Sequence, residues 1–210
     1  MTLPTAEVWN LVHAERRHLV HDLAPLRGAD WNTASLCKNW TVHDVLAHLV
    51  DTAHMSRLAF VASMVRARGD FHRANEAGVH HRRRQDPLQT LADLHEASSL
   101  TRTPPAHRAT RLVEAIVHGE DIRRPLGLPG EYPRAAVQAA LDHQLRTPLS
   151  FDGGRERAAG LRLVDVDDGT SWGEGPEVQG ASIDLLLAVS GRSLAPQLLS
   201  GLGAADLTSR

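Results

Sequence analysis

Residues 41–51 read Thr41-Val42-His43-Asp44-Val45-Leu46-Ala47-His48-Leu49-Val50-Asp51, and this stretch decides the fold class. Its first four residues have the form of a capping box in which aspartate replaces the usual glutamate or glutamine, a helix start signal. The helix is predicted to run from there towards Ala67. His48 shares a face with Thr52, Met55 and Ala59, so its imidazole is expected to point into a bundle rather than into solvent.

Working outward, Val8, Val12, Leu19 and Leu23 recur at helical intervals between Pro4 and about Leu23, with Glu15 inside that face. Pro25 and Gly28 mark the loop that follows. The polar stretch from Arg68 to Gln85, with His80-His81-Arg82-Arg83-Arg84, is predicted as a solvated loop. Asp86-Pro87 then supplies an N-cap and a proline at the first helical position, and Leu88, Leu91 and Leu94 support a third helix ending before Pro104-Pro105. A fourth is predicted over about Ala106 to Arg124, stopped by Pro125 and Gly127, and Pro133 opens a shorter fifth. Composition changes after Phe151. Asp152-Gly153-Gly154 reads as a linker, Leu161, Leu163, Val164 and Val166 as a strand running into the turn Asp167-Asp168-Gly169, and Trp172 and Val178 as marks of further short strands. Ala181 to Val189 is an apolar helical run, and Ser193 to Leu199 is read as a further helix. The predicted class is α+β, mainly α: a helical domain over residues 1–150 and a small α/β domain over 151–210.

With 210 residues, 42% of them hydrophobic, the chain can bury a core without staples. A net charge of -2 gives no overall footprint for nucleic acid, and the His80–Arg84 run lacks the interleaved aromatics of a single-strand binder. The single cysteine, Cys37, excludes an internal disulfide framework. The start of the chain lacks a basic segment followed by a long apolar run, and no apolar stretch is long enough to span a bilayer. A cytoplasmic protein without nucleic-acid or membrane partners is expected. Exposed helical faces leave a homodimer open, although no sustained heptad specifies one.

Glu114 and His118, four residues apart on the fourth predicted helix, lie on adjacent turns of one face and could chelate one ion, with His48 as a third ligand from across the core. Two imidazole nitrogens and one carboxylate oxygen suit zinc or another divalent transition metal and leave a position for water, thiolate or substrate. Spacing alone leaves two plainer readings open: a solvated pair for Glu114 and His118, and a hydrogen-bonded core histidine for His48.

The surrounding sequence adds to this. The stretch Trp31 to Asp51, with Trp31, Leu36-Cys37, Trp40-Thr41 and Asp44 to Asp51, resembles the N-terminal metal-binding region of mycothiol-dependent maleylpyruvate isomerase-like proteins, a branch of the DinB-like helical bundles. Glu114-Ala115-Ile116-Val117-His118-Gly119-Glu120-Asp121-Ile122-Arg123-Arg124 resembles the second metal motif of that family. Gly175 to Gly180 and Asp184 to Arg192 resemble its small C-terminal domain. The resemblance implies a DinB-like four-helix bundle followed by a small α/β domain, with His48, Glu114 and His118 as metal ligands. It also implies a divalent-metal-dependent enzyme, zinc leading, that activates mycothiol or another low-molecular-weight thiol for isomerisation or thiol transfer on a small, carboxylated substrate. A non-enzymatic metal-binding or small-ligand-sensing protein is the alternative.

Asp121 shares the helix face of Glu114 and His118 and is a second candidate partner for an imidazole, with a helix-terminal salt bridge as its other reading. Arg123 and Arg124 could clamp a carboxylate, but cations in a last turn also complement the helix dipole, and the structural role is preferred. His95, Glu15 and His18 are candidates for the cavity or, more plainly, for core-edge packing. Cys37 has no evident base beside it, and Trp31, Trp40 and Trp172 are read as packing anchors.

Overall fold

The computed structural model describes residues 3–210, and the chain divides into two compact units, residues 3–132 and residues 133–210. In the first, α1 (Thr5–Leu23), α2 (Val42–His54), α3 (Arg57–Arg66), α4 (Phe71–Arg82), α5 (Pro87–Ala97) and α6 (Thr110–Arg123) follow one another. Helices α1, α5, α2 and α6 pack pairwise in a closed ring, giving a four-helix bundle, while α4 lies against α2. Because α2 has neighbours on three sides, its apolar residues are not confined to one stripe: Val42, Val45, Leu46, Leu49 and Val50 are all buried. They join Leu19, Leu23, Trp31, Leu91, Leu94 and Ile122 in one cluster. Each large side chain so buried contributes roughly 1.5–3 kcal/mol.

The capping box closes with its aspartate. Thr41 Oγ1 accepts from the Asp44 N–H at 3.2 Å, and Asp44 Oδ2 accepts from the Thr41 N–H at 2.9 Å. The predicted long second helix is two helices, however. Chain direction changes at Met55, and Ser56 caps α3 by accepting from the Ala59 N–H at 3.2 Å. A serine hydroxyl that satisfies a free N–H starts a new helix more cheaply than it continues an old one.

The predicted loop at 68–85 is also corrected, since most of it is α4. Asp70 caps the helix through the Arg73 N–H, Val79 is its buried residue, and Gly78 lets it approach Asp51 so closely that a Cβ there would meet the carboxylate oxygen. The arginines at its end are tied to neighbouring helices: Arg82 to Asp51 at 3.5 Å, Arg83 to Asp44 at 2.8 Å and Arg84 to Asp93 at 2.8 Å. No helix among the described residues is long and apolar enough to cross a membrane.

The second unit holds α7 (Arg134–Gln144), β1 (Arg162–Asp165), β2 (Ser171–Trp172), β3 (Glu177–Gly180), α8 (Ser182–Val189) and α9 (Ala204–Ser209). Its three-stranded sheet has the order β2-β1-β3, antiparallel between β1 and β2 and parallel between β1 and β3, with Leu163 facing Trp172 on one side and Val178 on the other. Leu161, Leu163, Val178, Leu185, Leu186 and Leu187 form its buried interior. The division falls at Tyr132/Pro133 rather than at the break in composition near Phe151, because α7 packs on α8 and its Gln138 and Asp142 bond to Asp168 and Trp172. The expected helix over 193–199 is only a 3-10 turn, Pro196–Leu198, after which Ser200 pairs with Gln179; α9 carries no strong sequence signal.

Candidate metal centre

The bundle brings His48 from α2 together with Glu114 and His118 from α6. Glu114 Oε2 lies 3.2 Å from His48 Nε2 and 3.6 Å from His118 Nε2, and the three residues can offer ligand atoms that all lie within 4.8 Å of one another. Two donors each about 2.1 Å from a tetrahedral ion stand about 3.4 Å apart, so the first two separations bracket the value a bound ion needs. His48 is the enclosed member, while the His118 and Glu114 side chains remain partly exposed. His48 is 3% exposed, the Trp40 ring sits 5.0 Å from its ring, and the His118 ring meets it edge-on at 4.7 Å.

Glu114 Oε2 is buried and has no hydrogen-bond partner, although two ring nitrogens face it. Buried carboxylate oxygens are normally satisfied, so an orphan between two imidazoles fits a cluster built for a cation. His118 Nδ1 donates to Asp121 Oδ2 at 2.8 Å, and the Asp121 carboxylate is fully buried. Since a carboxylate only accepts, Nδ1 carries the proton and Nε2 presents its lone pair to Glu114 and His48, the tautomer a metal ligand needs.

Protonation follows from the same packing. Burial holds the His48 pKa below its ordinary value and keeps the ring neutral. Burial alone would raise Glu114, but the His48 contact and the nearby charge of Arg111 outweigh it and hold the carboxyl well below the usual range. A carboxylate and neutral imidazoles are the forms that bind metal.

Other sequence candidates lie elsewhere. Arg123 donates to Glu15 at 2.5 Å, Asp22 at 2.8 Å and Tyr132 at 2.7 Å, while Arg124 donates to Glu120 at 2.6 Å, so neither is a free clamp. Burial pushes Glu15 up to about 7 in spite of Arg123. His18 and His95 are exposed. Cys37 is half-buried against the core, Trp31 is part of it, and Trp172 bonds to Asp142. Trp40 does more than anchor packing, because its ring contacts His48.

Two residues escaped the sequence reading. Arg16 and Arg111 are 5% and 3% exposed. Arg111 Nη1 donates to the Thr52 carbonyl at 2.8 Å, strapping the helix of Glu114 to the helix of His48. The available signal was spacing: Arg111 stands three residues before Glu114 on one helix face.

Residues 12–102 match the mycothiol maleylpyruvate isomerase N-terminal domain family, a segment that contains His48 and ends before α6. No curated protein sequence matches the chain significantly. Among solved structures, the mycothiol-dependent maleylpyruvate isomerase is similar over 97% of this chain and 97% of its own, with a TM-score of 0.59 at 17% identity. A histidine-to-alanine mutant of that enzyme is similar over the same shares, with a TM-score of 0.57 at 15% identity. At such identities the likeness speaks for the fold. The match to the mycothiol maleylpyruvate isomerase N-terminal domain family thus covers residues 12–102, and the chain carries a fold similar to that of the solved isomerase along nearly its whole length.

Proposed function

We propose that the protein holds one divalent metal ion, with zinc the leading candidate, on His48, Glu114 and His118, and uses it with a low-molecular-weight thiol such as mycothiol. The reaction class is isomerisation or thiol transfer on a small, carboxylated substrate, in the cytoplasm. The observation that carries the metal reading is the buried Glu114 oxygen, without a hydrogen bond, between two ring nitrogens. The family match and the isomerase fold support the thiol reading.

When bound, a divalent cation favours the deprotonated form of a coordinated thiol, whose pKa in solution is about 8.5. The chain's own residues prepare for it. Asp121 fixes the His118 tautomer, burial keeps His48 neutral, and Arg111 helps keep Glu114 ionised. Trp40 and His118 confine the His48 ring and so hold the direction of its nitrogen. Three protein ligands leave a coordination position for an exchangeable group, as catalysis needs.

The test is the metal content of untagged protein purified without added metal, wild type against His118→Ala, both checked for native circular dichroism. About one equivalent in wild type and strong loss in the variant is the expected result. Little metal in wild type, even after zinc is offered, refutes the metal reading. Stoichiometric metal with no thiol-dependent turnover of small carboxylated alkenes or electrophiles leaves a metal-binding or sensing protein instead.

A further inference from the structure

The two buried arginines beside the cluster lack what buried arginines need. A guanidinium cannot shed its proton, so removing it from water is costly unless an anion neutralises it. Arg123 shows the ordinary solution, with Glu15 and Asp22 on its nitrogens. Arg16 and Arg111 have no such partner among the described residues. Arg16 Nη1 donates to the carbonyls of Leu100 at 3.0 Å and Ala97 at 3.4 Å, and Arg111 Nη1 to that of Thr52. Carbonyls satisfy hydrogen bonds but supply no charge. The Arg111 Nε is buried and has no partner at all.

The helices that carry them, α1 and α6, pack together, the charge of Arg111 acts on Arg16, and both guanidiniums have Glu114 as their nearby anion. One carboxylate thus stands against two guanidiniums, and it also faces His48 and His118. The other buried carboxylate of the cluster, Asp121, is engaged by His118, so around the two guanidiniums themselves positive charge exceeds negative, and a bound divalent cation adds to the excess.

We infer that Arg16 and Arg111 form a recognition site for a small carboxylate next to the His48, Glu114 and His118 cluster. A carboxylate matches the planar fork of a guanidinium with two oxygens and supplies the missing charge. The assignment deepens the proposed function by saying which residues hold the charged end of the substrate. It rests on that reading for its role in a reaction, though not for binding itself.

The test is calorimetric titration of malonate, at constant ionic strength, into the full chain stripped of metal, for wild type, Arg16→Met, Arg111→Met and Arg111→Lys. Sodium phosphate and chloride are the comparison anions. Wild type is expected to bind one malonate and to bind phosphate less tightly. Either methionine variant should weaken malonate at least tenfold, with Arg111→Lys in between. Should a methionine variant fail to fold, mass-spectrometric mapping of phenylglyoxal modification on wild type gives the same answer, because malonate must then protect Arg16 and Arg111. Absent saturable binding, undiminished binding in the folded variants, unprotected arginines, or tighter phosphate binding overturns the assignment. Metal uptake, measured on the same proteins before stripping and after zinc is offered, keeps the two readings apart. Malonate binding by a chain that never takes up metal refutes the metal centre alone, and metal uptake without malonate binding refutes the arginine site alone.

Discussion

Acid should weaken the N-terminal unit through one residue of α2, His43. The ring is 1% exposed, packs against Trp31, and its Nε2 lies 2.9 Å from the Thr90 hydroxyl, which accepts the Arg84 N–H. Burial first, and then the charge of Arg83, pushes its pKa down from 6.5 to about 4. The unfolded chain therefore binds a proton at a pH where the folded chain refuses it. The stability tied to the neutral ring is fully present above pH 6.5 and is lost as the pH falls towards 4. A depression of that size corresponds to about 3 kcal/mol, at about 1.4 kcal/mol per pH unit of displacement, a large part of a domain's total stability. The assay is urea unfolding, followed by circular dichroism at pH values from 7 to 4, for wild type and for His43→Gln, whose amide can still reach Thr90 but does not titrate. Other groups titrate in both proteins and cancel in the difference. Wild type should lose about 3 kcal/mol more than the variant over that range. Parallel profiles would refute the reasoning, since they would mean that the buried ring is no harder to protonate folded than unfolded.

Two further outcomes follow from the geometry. Asp121→Asn removes the carboxylate that holds His118 Nδ1–H, so metal affinity measured by chelator competition should fall by about 10–100-fold with little change in the unfolding midpoint. Gly78→Ala places a methyl against Asp51 and disturbs its pairing with Arg82, and urea unfolding should show a loss of about 1–3 kcal/mol.

What could be read from the sequence was what local pattern encodes. The start of α2 was legible because Thr41 and Asp44 satisfy each other's backbone groups within one turn, and the cluster was legible because Glu114 and His118 are one turn apart. Helix α4 was not, because it buries Val79 and little else and is tied down by Asp44 and Asp51 from another helix. No window of residues 68–85 contains those partners. Arg16 and Arg111 were passed over for a related reason: arginine is normally a surface residue, and only the assembled bundle shows that it has closed around them. The break after His54 turned on a single hydroxyl, that of Ser56, whose choice of N–H partner decides between one long helix and two.

His48 and Glu114, 66 positions apart in the chain, meet in the bundle. An ion shared between them would therefore be a cross-link as well as a reagent. Closing a loop of that length removes about 4 kcal/mol of conformational freedom from the unfolded chain, comparable to a disulfide of the same span. A chain with a single cysteine has no covalent means to that end. Loading with metal would then act as a reversible staple across the bundle, and the supply of the ion would govern how long the fold lasts as well as what it does.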